Sequence, residues 1–371
     1  MKKEILKTKR SKLDIELLLI AGFLISFGLI ALYSASTVVS YKKFGVTTKN
    51  IAHQITNGGL IGLLALIFLY KIDYHIYKKF LPYLLGASVV LLLMVKFSSF
   101  GYSAGGASRW LDFGFITFQP SELIKITTVV YMAAWLERKK HLLNDFWQGL
   151  LPNLIVVGLI AGLILAQPDF GTMLVVIAIA AAMLFAGGLS WRYVLAGFFS
   201  LILVLYLFIH FEPYRAERMM TFLNPEIDPR GISYQVNQSI LAIGAGGQWG
   251  YGYGLSRQKH NYLPATYTDS IFAVTSEELG FWRASLIVLG FLALAIKGLK
   301  IAKSAPDVFG SMLAVGITTW LTVQAIVNIG ALSGLLPLTG IPLPFFSYGS
   351  TALIVNMAAL GILLNVSKYS K

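Results

Sequence analysis

Residues 14–36 read DIELLLIAGFLISFGLIALYSAS, an apolar run long enough to cross a bilayer as one α-helix, which takes about 20 residues. Since lipid cannot hydrogen-bond an open backbone, such a run is predicted to be helical. The chain has 371 residues, of which 56% are hydrophobic and 13% charged, and it repeats this pattern nine more times. We therefore predict an all-α polytopic membrane protein with about ten transmembrane helices, forming a single integral membrane domain over residues 1–371. The further blocks are 53–70, 81–96, 119–135, 150–166, 170–187, 193–210, 276–296, 308–332 and 351–366.

The distribution of Lys and Arg predicts which side of the membrane each link faces. With the N-terminus inside, the expected cytoplasmic segments hold 18 of the 30 Lys and Arg residues, as the positive-inside rule requires. Both termini are then cytoplasmic, residues 1–13 form a basic tail, and the net charge of +13 mostly reflects topology. A nucleic-acid partner is not expected. The cytoplasmic segments are 1–13, 71–80, 136–149, 188–192, 297–306 and 367–371.

The N-terminus and the residue composition exclude several kinds of site. The basic segment Met1–Lys12 leads into a run of full spanning length, so no cleavable signal peptide is expected. The chain has no cysteine, which excludes disulfides and thiol catalysis. Its five histidines are scattered without ligand spacing, so a histidine-based metal site is not expected.

The longest polar stretch, residues 211–269, lies between the seventh and eighth spans and is expected on the outer face. Loops longer than about 12–15 residues are usually functional or disordered, and the many aromatic residues of this one argue against disorder. The outer links 97–118 and 333–350 are also long and rich in Gly, Pro, Ser and aromatic residues. We expect these three segments to converge over one cavity, with the catalytic region in 211–269.

Acidic residues near the predicted outer boundary are the first candidates for chemistry. Asp269 ends the long loop, where partial desolvation would suit a general base; helix capping by Thr268 or Asp269 is the alternative. Glu122 and Lys125 lie three residues apart on the fourth span and so on one helix face. Ionisable groups there are costly, so we interpret them either as a functional site or as a buried pair that fixes helix packing. The stretch 275–278, Thr-Ser-Glu-Glu, has the spacing of a capping box.

Other features of these segments have simpler interpretations. Gln119-Pro120-Ser121-Glu122 and Gln167-Pro168-Asp169 suit plain helix starts. The glycines of 244–254 lack the βα unit and Lys-Ser/Thr of a nucleotide loop, so tight turns or close helix approach are expected there. Several outer cations with aromatic neighbours suit a diphosphate and a sugar, because Arg binds phosphate oxygens in pairs and Lys acts as a point charge.

Three long motifs occur in order along the chain. Residues 109–110 read RW, followed by QPSELIK at 119–125. Residues 222–231 read FLNPEIDPRG, with SYQVNQS and YLPATYTDSIFAVTSEELG following up to Gly280. Residues 337–349 read PLTGIPLPFFSYG. With the ten spans, these motifs closely resemble the SEDS family (shape, elongation, division and sporulation) along essentially the whole chain.

The resemblance implies a peptidoglycan glycosyltransferase that polymerises lipid II on the outer face of the bacterial plasma membrane. Asp269 matches the family's essential aspartate and would take the proton from the acceptor's C4 hydroxyl, with inversion and loss of undecaprenyl diphosphate. One carboxylate suffices for inversion, and cations should stabilise the leaving diphosphate. The residues implied are Arg109, Lys125 and Lys259, then Arg215 and Arg218, for the diphosphate, with Glu122, Glu277, Gln119 and Ser121 in support.

The resemblance also implies partners and leaves a cofactor open. The substrates are lipid II and a lipid-linked glycan chain, and the protein partner is a class B penicillin-binding protein, with other divisome or elongasome membrane proteins. A divalent ion, Mg2+ or Mn2+, is an option that Glu277 would help to carry, and the sequence does not establish it.

Departures from the family pattern limit what is carried over. Ala265 stands where Glu is common and receives no role, Ser270 replaces Phe, and Thr339 stands where the division branch often has Lys. Other residues, such as Ser256 and Gln258, favour the division branch modestly over elongation. A lipid II flippase and a non-catalytic scaffold stay as alternatives, although a transporter would place its ionisable groups near the bilayer midplane.

Overall fold

The computed structural model describes residues 13–104, 107–112, 114, 117–210, 222 and 232–370. Ten long helices occur within these residues, at the positions of the ten predicted spans, so the polytopic helical fold is confirmed. A shorter helix, α8, lies inside the predicted 211–269 segment. The helices are α1 Ile15–Phe44, α2 Lys49–Lys71, α3 Tyr77–Phe97, α4 Pro120–Lys139, α5 Phe146–Leu165, α6 Phe170–Gly187, α7 Trp191–His210, α8 Ile232–Ala245, α9 Ile271–Ser304, α10 Val308–Leu332 and α11 Ser350–Ser367.

Two predicted features lie partly or wholly outside the described residues. The basic tail is described only at residue 13, and the long polar segment only at 222 and from 232 onward. Arg215 and Arg218 are therefore outside the described residues. Eight of the helices, namely α1, α2, α3, α5, α6, α9, α10 and α11, are long and apolar enough to span a membrane by the length and composition of their described residues.

Acidic residues start several helices and glycines end others. Asp14 accepts a hydrogen bond from the N–H of Leu17 (3.0 Å) at the start of α1, and Asp169 does the same for Thr172 (3.2 Å) at α6. Gly188 follows α6 with φ of 101°. This left-handed conformation is strained for residues with a Cβ, so glycine allows the helix to stop there. The predicted helix starts at Pro120 and Asp169 are confirmed.

A small sheet occupies the link between α3 and α4. Strands β1 Gly101–Ala104, β2 Ala107–Asp112 and β3 Thr117–Phe118 pair antiparallel in the order β1-β2-β3. The hydroxyl of Thr351, in the first turn of α11, donates to the carbonyl of Thr117 (3.3 Å). The spans are all-α as predicted, and the sheet rests on the start of α11.

The centre of the bundle is formed by α11 and α10. In their most apolar windows, 89% and 67% of residues are buried, whereas the value is 22% for α2 and 17% for α3 with its preceding turn. The outer helices therefore present most of their surface to lipid, while α10 and α11 are enclosed by protein. Polar side chains on these two helices must find partners inside the protein.

Consecutive spans run in alternating directions, which gives the bundle two ends. We call the end that carries residues 97–119, 245–270 and 333–349 the site end, and the other the opposite end. The three long links predicted to converge all lie at the site end, as far as the described residues extend.

Helix α9 contains a break near the site end, at Gly280, where φ is 75° and ψ is 180°. The carbonyls of Glu277 and Glu278 accept hydrogen bonds from the backbone N–H groups of Tyr251 (3.1 Å) and Gly252 (2.9 Å). The N–H of Phe281 donates to Gly247 (2.8 Å). The glycine-rich segment thus satisfies the backbone groups that the break frees, and the expectation of close approach by these glycines is confirmed.

The capping box predicted at 275–278 is wrong, because α9 starts five residues earlier and has Ser270 at its N-cap. The hydroxyl of Thr275 donates back to the carbonyl of Ile271 (2.8 Å), inside the helix. The local spacing matched a helix start, but the helix continues toward the N-terminus across that position.

Gly280→Ala is expected to destabilise the protein by about 3 kcal/mol or more, because both strain and overlap result. A Cβ at this position would lie 2.5 Å from the carbonyl carbon of Trp249, and its φ of 75° is unfavourable for any L-residue. Gly86→Ala is the control: its Cβ would have no atom within 4 Å. It should leave stability unchanged or raise it by about 0.5–1 kcal/mol. Thermal unfolding of both purified variants in detergent measures this, and equal melting of Gly280→Ala and wild type would contradict it.

A polar cluster closes the opposite end, around Asp307 in the link between α9 and α10. Tyr74 donates its hydroxyl hydrogen to Asp307, His75 Nε2 lies 3.2 Å from the same carboxyl oxygen, and the N–H of Gly310 donates to the other (2.9 Å). Burial raises the pKa of Asp307, but the hydrogen bonds from His75, Tyr74 and Gly310 outweigh it and lower the pKa to about 2.

This cluster predicts an acid-dependent contribution to stability. The folded-state pKa of Asp307 lies below the ordinary value of 3.8, so its contribution to stability is present above about pH 4 and is lost as the pH falls toward 2. Asp307→Asn should therefore lower the melting temperature at pH 7, and the difference from wild type should shrink as the pH falls through this window. A difference that stays constant over this pH range would contradict the assignment.

Candidate active site

Asp269 follows a tight turn centred on Ala265, which has a positive φ of 53°. The carbonyl of Ala265 accepts hydrogen bonds from the N–H groups of Thr268 (3.1 Å) and Ser270 (3.0 Å). The N-cap position of α9 belongs to Ser270, so neither Thr268 nor Asp269 occupies it. Asp269 is half-buried, immediately before the positive end of the α9 dipole, which favours a carboxylate there.

The 337–349 loop covers this turn. The N–H of Tyr348 donates to the carbonyl of Tyr267 (2.8 Å), and the hydroxyl of Ser347 donates to the carbonyl of Thr268 (2.6 Å). Gly340 in the same loop has φ of 71°, and a Cβ there would lie 3.5 Å from Oδ2 of Asp269. The loop therefore presents bare backbone, without a side chain, to the Asp269 carboxylate.

The loop is also held to α2, where that helix has a π-helical segment, Gln54–Leu60. The side chain of Gln54 accepts from the N–H of Gly349 (3.0 Å) and contacts the carbonyl of Ser347 (3.5 Å). Single π-turns within helices often occur at functional sites, because they redirect side chains and free backbone groups. This contact fixes the end of the loop opposite to Gly340.

Lys125 lies inside the bundle rather than in an open cavity. Its Nζ is 2.9 Å from both carboxyl oxygens of Glu122 and 2.8 Å from Oε1 of Gln324, and it lies 4.8 Å from the ring centre of Trp320. Lys125 and Glu122 are each only 1% exposed. The geometry matches the alternative of a buried pair that fixes helix packing, and in this conformation the ammonium is not open to a diphosphate.

Lys259 has a similar, fully partnered environment. Its three ammonium hydrogens are matched by Glu278 (2.8 Å), the hydroxyl of Ser34 (3.0 Å) and the carbonyl of Gly254 (2.7 Å). Glu277 accepts from the hydroxyl of Ser256 (2.5 Å) and from two backbone N–H groups after it. The two neighbouring carboxylates, Glu277 and Glu278, therefore hold the 254–259 segment to α9, and Lys259 ties it to α1.

Arg109, on β2, contacts the link before α6. Its guanidinium donates from Nη2 to the carbonyl of Pro168, and its Nε is buried without a partner among the described residues. Three residues after Pro168, a Cβ on Gly171 would lie 3.2 Å from the carbonyl oxygen of Thr339. Arg109 is thus connected, through the link before α6, to the loop that faces the Asp269 carboxylate.

Ser121 and Gln119 belong to the same junction. The hydroxyl of Ser121 donates to Asp169 (3.2 Å), which also caps α6, so the starts of α4 and α6 are joined. Gln119 is half-buried at the N-cap of α4 and makes no side-chain capping bond there. Both residues shape the wall beside Arg109.

The described residues contain no group of three or more His, Asp or Glu side chains placed to share a metal ion. Glu277, the carboxylate considered for a divalent ion in the sequence, accepts hydrogen bonds from Ser256 and from two backbone N–H groups. A divalent ion bound partly by backbone or substrate oxygens stays a prediction.

Two functional candidates were missed from the sequence, Gln324 and Asn328 on α10. Both are buried amides in a mostly apolar span, which is costly unless every polar atom finds a partner. Their spacing of four residues, which places them on one helix face, was a signal available in the sequence.

Comparison with known proteins identifies the family. The FtsW/RodA/SpoVE family model, described as "Cell cycle protein", matches residues 15–371. Stage V sporulation protein E of Bacillus subtilis is 38% identical over 371 residues, covering 98% of this chain and 99% of that relative. A probable peptidoglycan glycosyltransferase FtsW of Geobacter metallireducens is 40% identical, covering 96% and 95%.

Solved structures agree over nearly the full length. A chain in the structure described as "Structural coordination of polymerization and crosslinking by a peptidoglycan synthase complex" matches with a TM-score of 0.80 at 28% identity, covering 96% of this chain and 98% of that one. The rod shape determining protein RodA of Thermus thermophilus matches with a TM-score of 0.71 at 27% identity, covering 96% and 97%. The chain therefore belongs to the FtsW/RodA/SpoVE family of cell cycle proteins, the SEDS family that its motifs resemble.

Proposed function

We propose that this protein is a peptidoglycan glycosyltransferase that polymerises lipid II, with Asp269 as the general base. The observation that carries the proposal is the position of the Asp269 carboxylate, half-buried at the start of α9 and facing backbone at Gly340. Relatives named as probable peptidoglycan glycosyltransferases support the reaction class.

The proposed step is a single displacement. The C4 hydroxyl oxygen of the acceptor sugar attacks the anomeric carbon of the donor chain, and Asp269 takes the hydroxyl proton. The bond from the anomeric carbon to the diphosphate oxygen breaks, and undecaprenyl diphosphate leaves with both bonding electrons. Inversion in one step needs a base and no enzymic nucleophile, so one carboxylate, that of Asp269, is sufficient for it.

Arg109 is the described residue best placed to stabilise the leaving diphosphate. Its Nε has no partner within the described part of the chain, and a guanidinium can offer paired donors to phosphate oxygens. Arg215 and Arg218 stay as candidates for the same role. The contacts of Lys125 and Lys259 favour a different role for them, in which they order the walls around Asp269 instead of binding the substrate.

The site end is proposed to face outward, with both termini cytoplasmic and the protein in the bacterial plasma membrane. Support comes from the basic residues at the opposite end, where Lys78, Lys297 and Lys368 lie beside the links. Basic residues are enriched in cytoplasmic links. Asp269 would then meet lipid II after it has crossed the bilayer.

A class B penicillin-binding protein is the proposed partner, because glycan strands need crosslinking after they are made. A structural relative comes from a peptidoglycan synthase complex that coordinates polymerisation and crosslinking. We propose the division and sporulation branch, since the two sequence relatives, at 38% and 40% identity, are a stage V sporulation protein and an FtsW, whereas RodA is 27% identical.

The test is gel-resolved polymerisation of purified lipid II by the purified protein, with and without a class B penicillin-binding protein. Glycan strands that form only when this protein is present would support the polymerase. Movement of labelled lipid II across a vesicle bilayer without any polymer would instead identify a flippase. If the protein stimulates crosslinking by its partner but makes no polymer and moves no lipid, it is a scaffold.

A further inference from the structure

Gln324 and Asn328 lie one turn apart on α10 and face the 337–349 loop. They are only 1% and 3% exposed. Both amides are directed at backbone carbonyls of the loop, and their orientations follow from the partners around them.

The orientation of Gln324 is set by two donors. Its Oε1 accepts from Nζ of Lys125 (2.8 Å) and from Nε1 of Trp320 (2.8 Å). Neither of these groups can accept a hydrogen bond, so the oxygen of the amide must point at them. Its Nε2 therefore points the other way and donates to the carbonyl of Pro342 (2.8 Å).

Asn328 makes the corresponding contact one residue earlier in the loop and adds a second. Its Nδ2 donates to the carbonyl of Ile341 (2.8 Å) and to the carbonyl of Asp269 (2.9 Å). An amide nitrogen carries two hydrogens, so both bonds form at once. The Oδ1 atom is buried without a hydrogen-bond partner among the described residues. The side chain is thus held by its two donated bonds.

These contacts join the two parts of the site that flank the carboxylate. The Asn328 side chain donates hydrogen bonds to the backbone carbonyl of Asp269 and to that of Ile341. Ile341 is next to Gly340 in the chain. Because Gly340 lies against Oδ2 of Asp269, moving either carbonyl would change the distance between the carboxylate and the loop. Gln324 holds the neighbouring carbonyl, with its own orientation set by the Glu122–Lys125 pair.

We propose that Asn328 is a positioning residue for polymerisation, which holds Asp269 and the 337–349 loop in the relative placement that proton transfer requires. This inference rests on the proposed function of Asp269 as the base. It also assigns a role to the buried ion pair: Lys125 acts on the site through Gln324 and the loop. Small displacements of a catalytic group lower the turnover rate while leaving substrate binding intact.

The test compares Asn328→Leu and Asn328→Asp with Asn153→Leu in the complete protein, by lipid II polymerisation kinetics on monodisperse, folded samples. Leu has the branched shape of Asn, with bulkier methyl groups, and removes both donors. Asp keeps the size and shape of Asn but, when ionised, places an acceptor oxygen where the donor nitrogen faced the two carbonyl oxygens. The larger volume of Leu is matched in the control, which carries the same substitution. Asn153 is a matched control, since it is fully buried on α5 toward the opposite end with no partner for its amide atoms among the described residues.

We expect kcat to fall about 100-fold in Asn328→Leu with KM within about two-fold of wild type, and to stay within about two-fold in Asn153→Leu. The pH profile separates positioning from packing. As the pH falls, the activity of Asn328→Asp relative to wild type should rise, because a protonated carboxyl can again donate to one carbonyl. Asn328→Leu should show no such recovery.

The inference is overturned if Asn328→Leu unfolds more easily yet keeps the wild-type kcat per folded molecule, since Asn328 would then be a packing residue. It is also overturned if the Leu and Asp variants have the same pH profile. The proposed function fails separately, if Asp269→Asn still polymerises lipid II at the wild-type rate.

Discussion

Asp269→Asn should lower the rate of lipid II polymerisation by about 10²–10⁴-fold, the range that a positioned general base contributes. Asn has the same shape and still offers a carbonyl oxygen, but it cannot take up the proton of the attacking hydroxyl near neutral pH. The turn at Ala265 and the contact of Asn328 with the backbone of residue 269 do not involve the carboxylate. These backbone contacts are kept in the variant, and its melting temperature and lipid II binding report whether the fold is kept as well.

The measurement is polymerisation by each protein with its partner present, together with the melting temperature and the binding of lipid II. Asp145→Asn is the control, because Asp145 starts α5 at the opposite end by accepting from two backbone N–H groups (2.9 Å each). Asn is also a good N-cap, so this variant should stay fully active. Wild-type turnover in a folded Asp269→Asn protein would remove Asp269 as the base.

Lys125→Met should have the largest effect on stability, about 3–5 kcal/mol, because it leaves the carboxylate of Glu122 buried without its partner. Met fills most of the space of the Lys stem, so the loss reports the charge rather than a cavity. The double variant Glu122→Gln with Lys125→Met removes both charges. It should recover most of the lost stability, since replacing a buried ion pair by neutral residues is often close to neutral.

Lys297→Met provides the control for this series. Lys297 pairs with Glu16 (2.7 Å) and Asp14 (3.0 Å) at the opposite end, where the two carboxylates are 76% and 17% exposed, so both keep contact with water that the buried Glu122 lacks. Its loss should cost no more than about 1 kcal/mol. Unfolding in detergent compares the four proteins.

The same series decides between the two roles considered for Lys125. If its ammonium bound the diphosphate directly, Lys125→Met would weaken lipid II binding without a large loss of stability, and neutralising Glu122 as well would not restore it. If Lys125 orders Gln324 and the loop, stability and kcat should fall together. The burial of the pair predicts the second result.

Much of the fold could be predicted because membrane spans are local features of sequence. Each span is a run of apolar residues whose length matches the bilayer, and each backbone hydrogen bond of a helix joins residues four apart. The ten helices therefore lie where the ten blocks predicted them. The sequence also predicted the helix starts at Pro120 and Asp169, which depend on local residues. The family motifs could be identified in the same way, and they indicated Asp269 as the candidate base.

Local spacing was insufficient where a neighbouring segment competes for the same groups. Thr275 to Glu278 have the spacing of a helix start, but the start lies at Ser270, and the break at Gly280 is stabilised by residues 247–252. No periodic pattern predicts which distant backbone will supply those hydrogen bonds.

The sequence by itself determined the number and position of the spans, the family and the aspartate. Only the tertiary structure decided which partners each charged side chain has. The ammonium of Lys125 donates a hydrogen bond to Gln324, 199 residues away in sequence, and that of Lys259 donates to Ser34, 225 residues away. Both were expected to bind a diphosphate, because cations should stabilise the negative charge of the leaving group. In the structure a glutamate is the anion beside each lysine. The protein supplies that anion itself, and burial of the resulting pairs depends on how α1, α4, α9 and α10 pack together, which no single stretch of sequence contains.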